Sequence, residues 1–250
     1  MKAAVHCNEI KKHYGKGLTR VEALRGVTFE SYQGELLMIA GPSGCGKTTL
    51  LSIISTILDQ DGGECLILGE NVNKFSSDAK VSYRGKNIGF IFQNFNLIPM
   101  LTAVENTALP LVINGEDKEL SLKYAAELLK EVGLEKRINA MPKQMSGGEQ
   151  QRVAICRGCI HNPKIIVCDE PTSALDHKAG MQVMQMFKKI ALKQDSSLII
   201  VTHDARIFKF ADRILEMEDG RIIKHSTNGG IIPIEGTSGH LTTDQKSLHK

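Results

Sequence analysis

The run Gly41-Pro42-Ser43-Gly44-Cys45-Gly46-Lys47-Thr48 fits G-x-x-x-x-G-K-[ST], and its flanks constrain the fold more than any other segment does. Leu36-Leu37-Met38-Ile39-Ala40 before it is an unbroken apolar run of strand length, and residues 47–58 after it read as a helix. Glycines let the backbone curl until several N–H groups point inward, and a helix N-terminus adds positive potential, so the loop suits a phosphate group. In such a loop Lys47 reaches the β- and γ-phosphates, the Thr48 hydroxyl sits on Mg²⁺, and Thr49 extends the cradle. Taken alone, the loop implies a nucleoside triphosphate and nothing more specific.

A chain of 250 residues suffices for one or two domains with a sizeable core. Its 42% apolar and 24% charged residues are those of an ordinary globular protein, and a net charge of +3 is too small to argue for nucleic acid or an anionic lipid surface. The N-terminus turns polar before an apolar signal segment forms, and no apolar run approaches the roughly 20 residues of a membrane span. We therefore expect a cytoplasmic chain whose membrane role is borrowed from a partner. Six cysteines are scattered along it. Cys156-x-x-Cys159 has the spacing of a redox or metal pair, but it falls inside an expected helix with no second pair to complete a zinc site, so packing is the simpler reading. Cys45, inside the phosphate loop, is the one cysteine placed for reactivity.

Strand and helix signals alternate, which implies a parallel α/β core. The first 35 residues read as short strands and turns, with further strands at 64–69, 88–92, 165–168 and 198–201. Between about 95 and 160 the character is helical, including an amphipathic helix at 117–132 and another starting at Ser146. Met184, Phe187, Ile190 and Ala191 mark a helix between the last two strands. Residues 214–224 read as a hairpin turning at Asp219-Gly220. We expect one unit over 1–225 with a helical insert at about 95–160, then a polar, loosely held tail at 226–250.

Four further motifs carry chemistry. Ile165-Ile166-Val167-Cys168-Asp169-Glu170 is an apolar strand ending in two carboxylates at the sheet's C-terminal edge, where Asp169 is suited to Mg²⁺ and Glu170 to accepting a proton from attacking water. Ser146 and Glu149 form a capping box around Gly147 and Gly148, so a helix N-terminus there makes a second anion site. Since one nucleotide needs one phosphate loop, that second site suggests a phosphate delivered by another copy, although a plain cap accounts for the motif taken alone. Gln93 and His203 each follow a strand and so reach the same edge, where Gln93 can sense the γ-phosphate or metal and His203 can bond the γ-phosphate and Glu170. Asp176 in Ser173-Ala174-Leu175-Asp176 can cap the next helix, and Tyr14 can stack on adenine.

In this order and spacing, the phosphate loop, Gln93, MSGGEQQR, IIVCDEP, SALD and His203 resemble the nucleotide-binding subunit of ABC transporters, over about residues 5–224. The resemblance implies a RecA-like P-loop NTPase core with an N-terminal antiparallel β-subdomain and an inserted α-helical subdomain. It also implies ATP and Mg²⁺ as ligands, ATP hydrolysis, and peripheral attachment at the inner face of the cell membrane through separate transmembrane permease subunits. It further implies a head-to-tail homodimer in which Ser146, Gly147, Gly148 and Glu149 meet the other chain's ATP, Asp176 signals across the dimer, and Gln93 links the site to the permease. FIFQNFNLIPMLTAVENTALPL and THDARIFKFADRILEMEDGRI look like the macrolide-export, lipoprotein-release and glycolipid-export branch. A non-transporting ABC complex in cell-envelope or cell-division regulation is the alternative. Cys156, Gly158 and Cys159 depart from the family's usual residues, and Gly158 in a helix costs roughly 1 kcal/mol against Ala, which raises a question about how that helix packs.

Overall fold

A computed structural model describes residues 2–193, 195–227 and 230–232. In chain order these form β1 (Ala3–Tyr14), β2 (Val21–Tyr32), β3 (Leu36–Ala40), α1 (Lys47–Ile54), β4 (Gly62–Ile67), α2 (Ser77–Asn87), β5 (Ile88–Ile91) and α3 (Ala103–Ile113). There follow α4 (Lys118–Glu131), α5 (Gly147–Cys159), β6 (Ile165–Asp169), α6 (His177–Lys193), β7 (Ser197–Thr202), β8 (Arg213–Glu218), β9 (Arg221–Thr227) and β10 (Gly230–Ile232). One sheet is antiparallel, in the order β2-β1-β4, and the other runs β10-β9-β8-β3-β7-β6-β5. Five adjacent strands of the larger sheet, β8 to β5, are parallel.

β3 and β7 are buried at every residue, as parallel strands covered on both faces must be. Their side chains alternate between two cores. Leu36, Met38, Leu198 and Ile200 join Met184 and Phe187 of α6 on one face, while Leu37, Ile39, Ile199 and Val201 join Leu50 and Leu51 of α1 and the antiparallel sheet on the other. Register then decides where the chemistry lies. Ala40 pairs with Thr202 and Asp169 with Val201, so the C-terminal ends of β3, β7 and β6 stand side by side. The loops leaving them share one edge of the sheet, the position where open α/β folds bind ligands.

The N-terminal strands are longer than the sequence suggested, at twelve residues each. Bulges interrupt their ladder, and Glu9 takes a positive φ of 51°, which breaks the alternation that marks a long strand. α2 was not anticipated. None of its residues is fully buried, although Tyr83 packs against the core, and its start is set by the Ser76 side chain accepting from the Ala79 N–H. The hairpin turns as expected at Asp219-Gly220, both residues with φ > 0. Strand pairing continues past 225, since β9 runs to Thr227 and β10 pairs with it. Residues 228–229 and 233–250 of the expected tail lie outside the described residues.

Gly158 has a packing reason. A Cβ on Gly89 of β5 would run into the Gly158 carbonyl, and a Cβ on Gly158 would meet the Ile91 side chain at 2.8 Å. The two glycines let α5 lie directly on β5, and α5's buried residues include Cys156 and Cys159. Those two cysteines are packing residues, and all six cysteines are buried and outside any disulfide.

Candidate nucleotide site

β3 ends at Ala40 and the chain turns through the glycine-rich loop into α1, whose first residue is Lys47. Gly46 caps the helix with φ 105°, and a Cβ there would strike the Ala23 carbonyl of β2, so only glycine fits. Lys47 is buried, and its Nζ donates to the carbonyl oxygens of Gly41 and Pro42 at 2.8 Å each. These neutral acceptors hold an ammonium beneath the loop, where a phosphate oxygen would be the stronger partner. Cys45 is buried and adjacent, with its Sγ 3.9 Å from Lys47 Nζ.

Thr48 Oγ1 donates to Asp169 Oδ2 at 3.0 Å, joining the first turn of α1 to the end of β6. Burial pushes the Asp169 carboxyl up from its ordinary range, and the Thr48 hydroxyl opposes that shift. Next in the chain, Glu170 is buried with a left-handed φ of 50°. Its Oε1 lies 2.6 Å from His203 Nδ1, and its Oε2 accepts from Thr202 Oγ1 at 3.1 Å and from the His203 N–H at 3.4 Å. The carboxylate is therefore held from three sides by the end of β7.

A cavity of about 300 Å³ opens at this edge. Ser43, Gly44, Gly46, Lys47, Thr48 and Thr49 line one side of it, and Gln93, Asp169, Glu170 and His203 line the other. Sequence motifs up to 160 residues apart thus face a single space. Ala23 of β2 also lines it, which no motif announced, because the antiparallel sheet reaches the site only through the tertiary fold. Tyr14 stands at the end of β1, 46% exposed, with its hydroxyl 3.5 Å from Thr49 Oγ1.

The other expected residues lie elsewhere. Ser146, Gly147, Gly148, Glu149 and Asp176 do not line the cavity. Ser146 Oγ accepts from the Glu149 N–H at 3.3 Å, while Glu149 Oε2 accepts from the Ser146 N–H at 2.8 Å, which completes the capping box. That backbone N–H, helped by Arg137 at 3.0 Å, holds the Glu149 carboxyl below its usual range. Ser146 is exposed, and both its hydroxyl and the Glu149 carboxylate are engaged in the cap. Asp176 Oδ1 accepts from the Ala179 N–H at 2.9 Å, so it caps α6. An added Cβ on Gly147 would sit 3.8 Å from the Ala174 carbonyl, which places the Ser146 helix start beside the turn leading to Asp176. Three residues the motifs did not single out are linked beside Glu170: Thr202 bonds its carboxylate, Asp204 bonds Thr202, and Thr172 bonds Asp204.

Comparison with known proteins points the same way. The family described as ABC transporter matches residues 24–173. An ABC transporter ATP-binding protein of Methanocaldococcus jannaschii is 43% identical over 88% of this chain and 98% of its own length. A Staphylococcus aureus protein named "Putative hemin import ATP-binding protein" is 43% identical over 88% of this chain and 99% of its own. Among solved structures, a dimeric ATP-binding cassette in a post-hydrolysis state bound to ADP and Pi superposes with a TM-score of 0.83, at 40% identity over 89% of this chain and 98% of that one. A phosphate loop, paired carboxylates and a histidine converging on one cavity, in a chain this similar to cassettes of known structure, make this protein an ATPase subunit of the ABC transporter family.

Proposed function

We propose that this chain hydrolyses ATP within a sandwich dimer and drives export, or lipid and lipoprotein extraction, by separate permease subunits. The observation that carries the hydrolytic part is the Glu170 carboxylate, buried beside His203 at 2.6 Å and facing the same cavity as Lys47 and Thr48. Lys47 binds the β- and γ-phosphates, the loop from Gly41 to Thr49 wraps them with backbone N–H groups, and Tyr14 stacks on adenine. Glu170 takes the proton of the attacking water, and His203 bonds the γ-phosphate and keeps Glu170 oriented. Gln93 positions the water and reports on the γ-phosphate. Thr48, Asp169 and Gln93 offer hard oxygen donors at one end of the cavity, a set that fits Mg²⁺ with the remaining ligands drawn from phosphate and water. Bound there, Mg²⁺ would neutralise phosphate charge.

Each ATP is completed by Ser146, Gly147 and Gly148 of the partner subunit, a helix start exposed away from its own chain's cavity. Glu149 serves by shaping that helix start, and Asp176 lies beside it, placed to carry the state of one site to the other. The permease seat is a groove of about 800 Å³ between α2, β5, α3 and the end of α5, lined in part by Phe90, Leu109, Pro110 and Ile113. β5, whose residues Ile88 and Phe90 line the groove, leads within two residues of its end to Gln93 in the nucleotide cavity, so movement at one is transmitted to the other. We assign two cassettes to two permease subunits, with the cassettes peripheral at the cytoplasmic face. Among the described residues no helix is long and apolar enough to cross a membrane.

Direction is tested in vesicles that carry the permease with this chain on the outer side. With ATP outside, export accumulates a macrolide or haem probe in the lumen or releases an embedded lipoprotein. ATP-driven loss of a preloaded probe from the lumen would instead indicate import, the activity named for the Staphylococcus aureus relative.

A further inference from the structure

A left-handed glutamate between two functional loops needs something to hold it, because φ > 0 is disfavoured for a side chain of this kind. The Glu170 N–H donates to the Val201 carbonyl at 3.0 Å, and its own carbonyl accepts from Ser173 Oγ at 3.1 Å. Its carboxylate is held by a less obvious chain of bonds. Thr202 Oγ1 accepts from the Asp204 N–H at 2.9 Å, which leaves the hydroxyl proton for Glu170 Oε2. Asp204 Oδ2 in turn accepts from Thr172 Oγ1 at 3.0 Å, and Thr172 stands two residues after Glu170. A closed ring therefore runs from the Glu170 side chain through Thr202, Asp204 and Thr172 and back along the chain to Glu170.

Both threonines are buried, so neither hydroxyl has water as an alternative partner. Arg206 closes the ring on its solvent side, with Nε and Nη2 donating to the two Asp204 oxygens at 2.7 and 2.8 Å. Arg206 also brings the Asp204 carboxyl down to about 2, so it is an acceptor only throughout the neutral range. The Leu175 N–H donates to the Thr172 carbonyl at 3.1 Å, which ties the ring to the turn that ends at Asp176.

We propose that Asp204, acting through Thr202 and Thr172, is a positioning residue for Glu170: it fixes the plane of the carboxylate and couples it to the turn carrying Asp176. This rests on the reading of Glu170 as the base. A ring that served only to stabilise the loop would raise melting temperature and leave chemistry alone. A positioning ring acts on turnover, because misplacing a base by a fraction of an ångström weakens proton transfer without weakening nucleotide binding.

The test uses the full chain carrying Thr202→Val, Thr202→Ser, Thr172→Val or Asp204→Ala, with ATPase kinetics and the affinity for a fluorescent ATP analogue. Thr202→Val and Asp204→Ala should lower kcat by roughly 10-fold to 10²-fold while KM and nucleotide affinity stay within about twofold. Thr202→Ser, which keeps the hydroxyl, should recover most of the loss. On a Glu170→Gln background the same substitutions should remove no further turnover, since the carboxylate they act through is gone. Wild-type kcat in both Thr202→Val and Asp204→Ala overturns the proposal, and so does a parallel loss of kcat, nucleotide affinity and melting temperature that serine does not rescue. If Asp204→Ala does not fold, the two valine variants decide alone. Near-normal hydrolysis by Glu170→Gln removes the base reading and the positioning claim with it. An inactive Glu170→Gln beside undisturbed ring variants removes the positioning claim only.

Discussion

The tasks proposed for Lys47 and Glu170 are separable, and the variants of each should show it. Lys47 already exchanges an ammonium for two neutral carbonyls at 2.8 Å, so a phosphate oxygen adds a charge-assisted bond. Lys47→Ala should weaken ATP binding by about 1.5–3 kcal/mol, read by equilibrium titration; an unchanged Kd would take the loop out of the phosphate site. Glu170→Gln should keep nucleotide binding and lose about 10²–10⁴ in turnover. Asp204 makes a prediction in acid. Its folded pKa of about 2 lies below the ordinary carboxylate value of 3.8. Its contribution to stability is therefore complete above about pH 4 and disappears as pH falls toward about 2. Urea midpoints over that range should fall more steeply for the wild type than for Asp204→Asn, and equal slopes would mean that the Arg206 contact does not form in solution. Residues of the first kind were legible because each motif is local: lysine after glycine, carboxylates after an apolar strand. The Thr172–Asp204 bond joins positions 32 apart, and neither residue carries a signal of its own.

At the scale of elements, α5 meets β5 through two glycines of unequal tolerance. Gly158→Ala gains helix propensity of roughly 1 kcal/mol but presses on Cγ1 of the buried Ile91 side chain, which is not backbone and has some room to rotate. Gly89→Ala presses on the Gly158 backbone carbonyl, which cannot move without shifting the helix. Thermal unfolding should show Gly89→Ala destabilised by about 1–3 kcal/mol and Gly158→Ala by less; the reverse order would contradict the packing described. A glycine that looked like a weak point in α5 is thus a contact surface. α4 was readable to within a residue or two, since Ala125 and Leu129 form a buried stripe and Asp117 caps it. α2 was not, since none of its residues is fully buried and only Tyr83 among them packs against the core.

At the scale of the molecule, the arrangement predicts complementation. Lys47 lines one cavity, and Ser146 is exposed and does not line that cavity of its own chain. A Lys47→Ala chain and a Ser146→Arg chain should each be inactive as homodimers. Mixed, they form one site with both lesions and one with none, because a twofold interface pairs each surface with its counterpart. Hydrolysis should reappear on mixing, by up to about half of the wild-type rate per mixed dimer if one intact site fires alone. Continued inactivity, with mixed dimers verified by tag pull-down and permease present to fix their geometry, would count against the sandwich.

What the sequence determined was the set of parts: a strand-loop-helix with one spacing for phosphate, carboxylates after an apolar strand, and capping boxes that start helices, all of them interactions within a few residues. That local physics sufficed to anticipate the α/β class, a nucleoside triphosphate site and nearly every residue lining the cavity, while the resemblance to ABC cassettes supplied the ATPase. The tertiary structure alone decided how the parts face one another. Register between β3, β6 and β7 put three loops on one edge, the antiparallel sheet brought Ala23 beside the phosphate loop, and bonds between distant turns locked the Glu170 carboxylate. Contacts of that kind depend on which strands become neighbours, and the burial of apolar side chains on both faces of the sheet selects those neighbours for the chain as a whole.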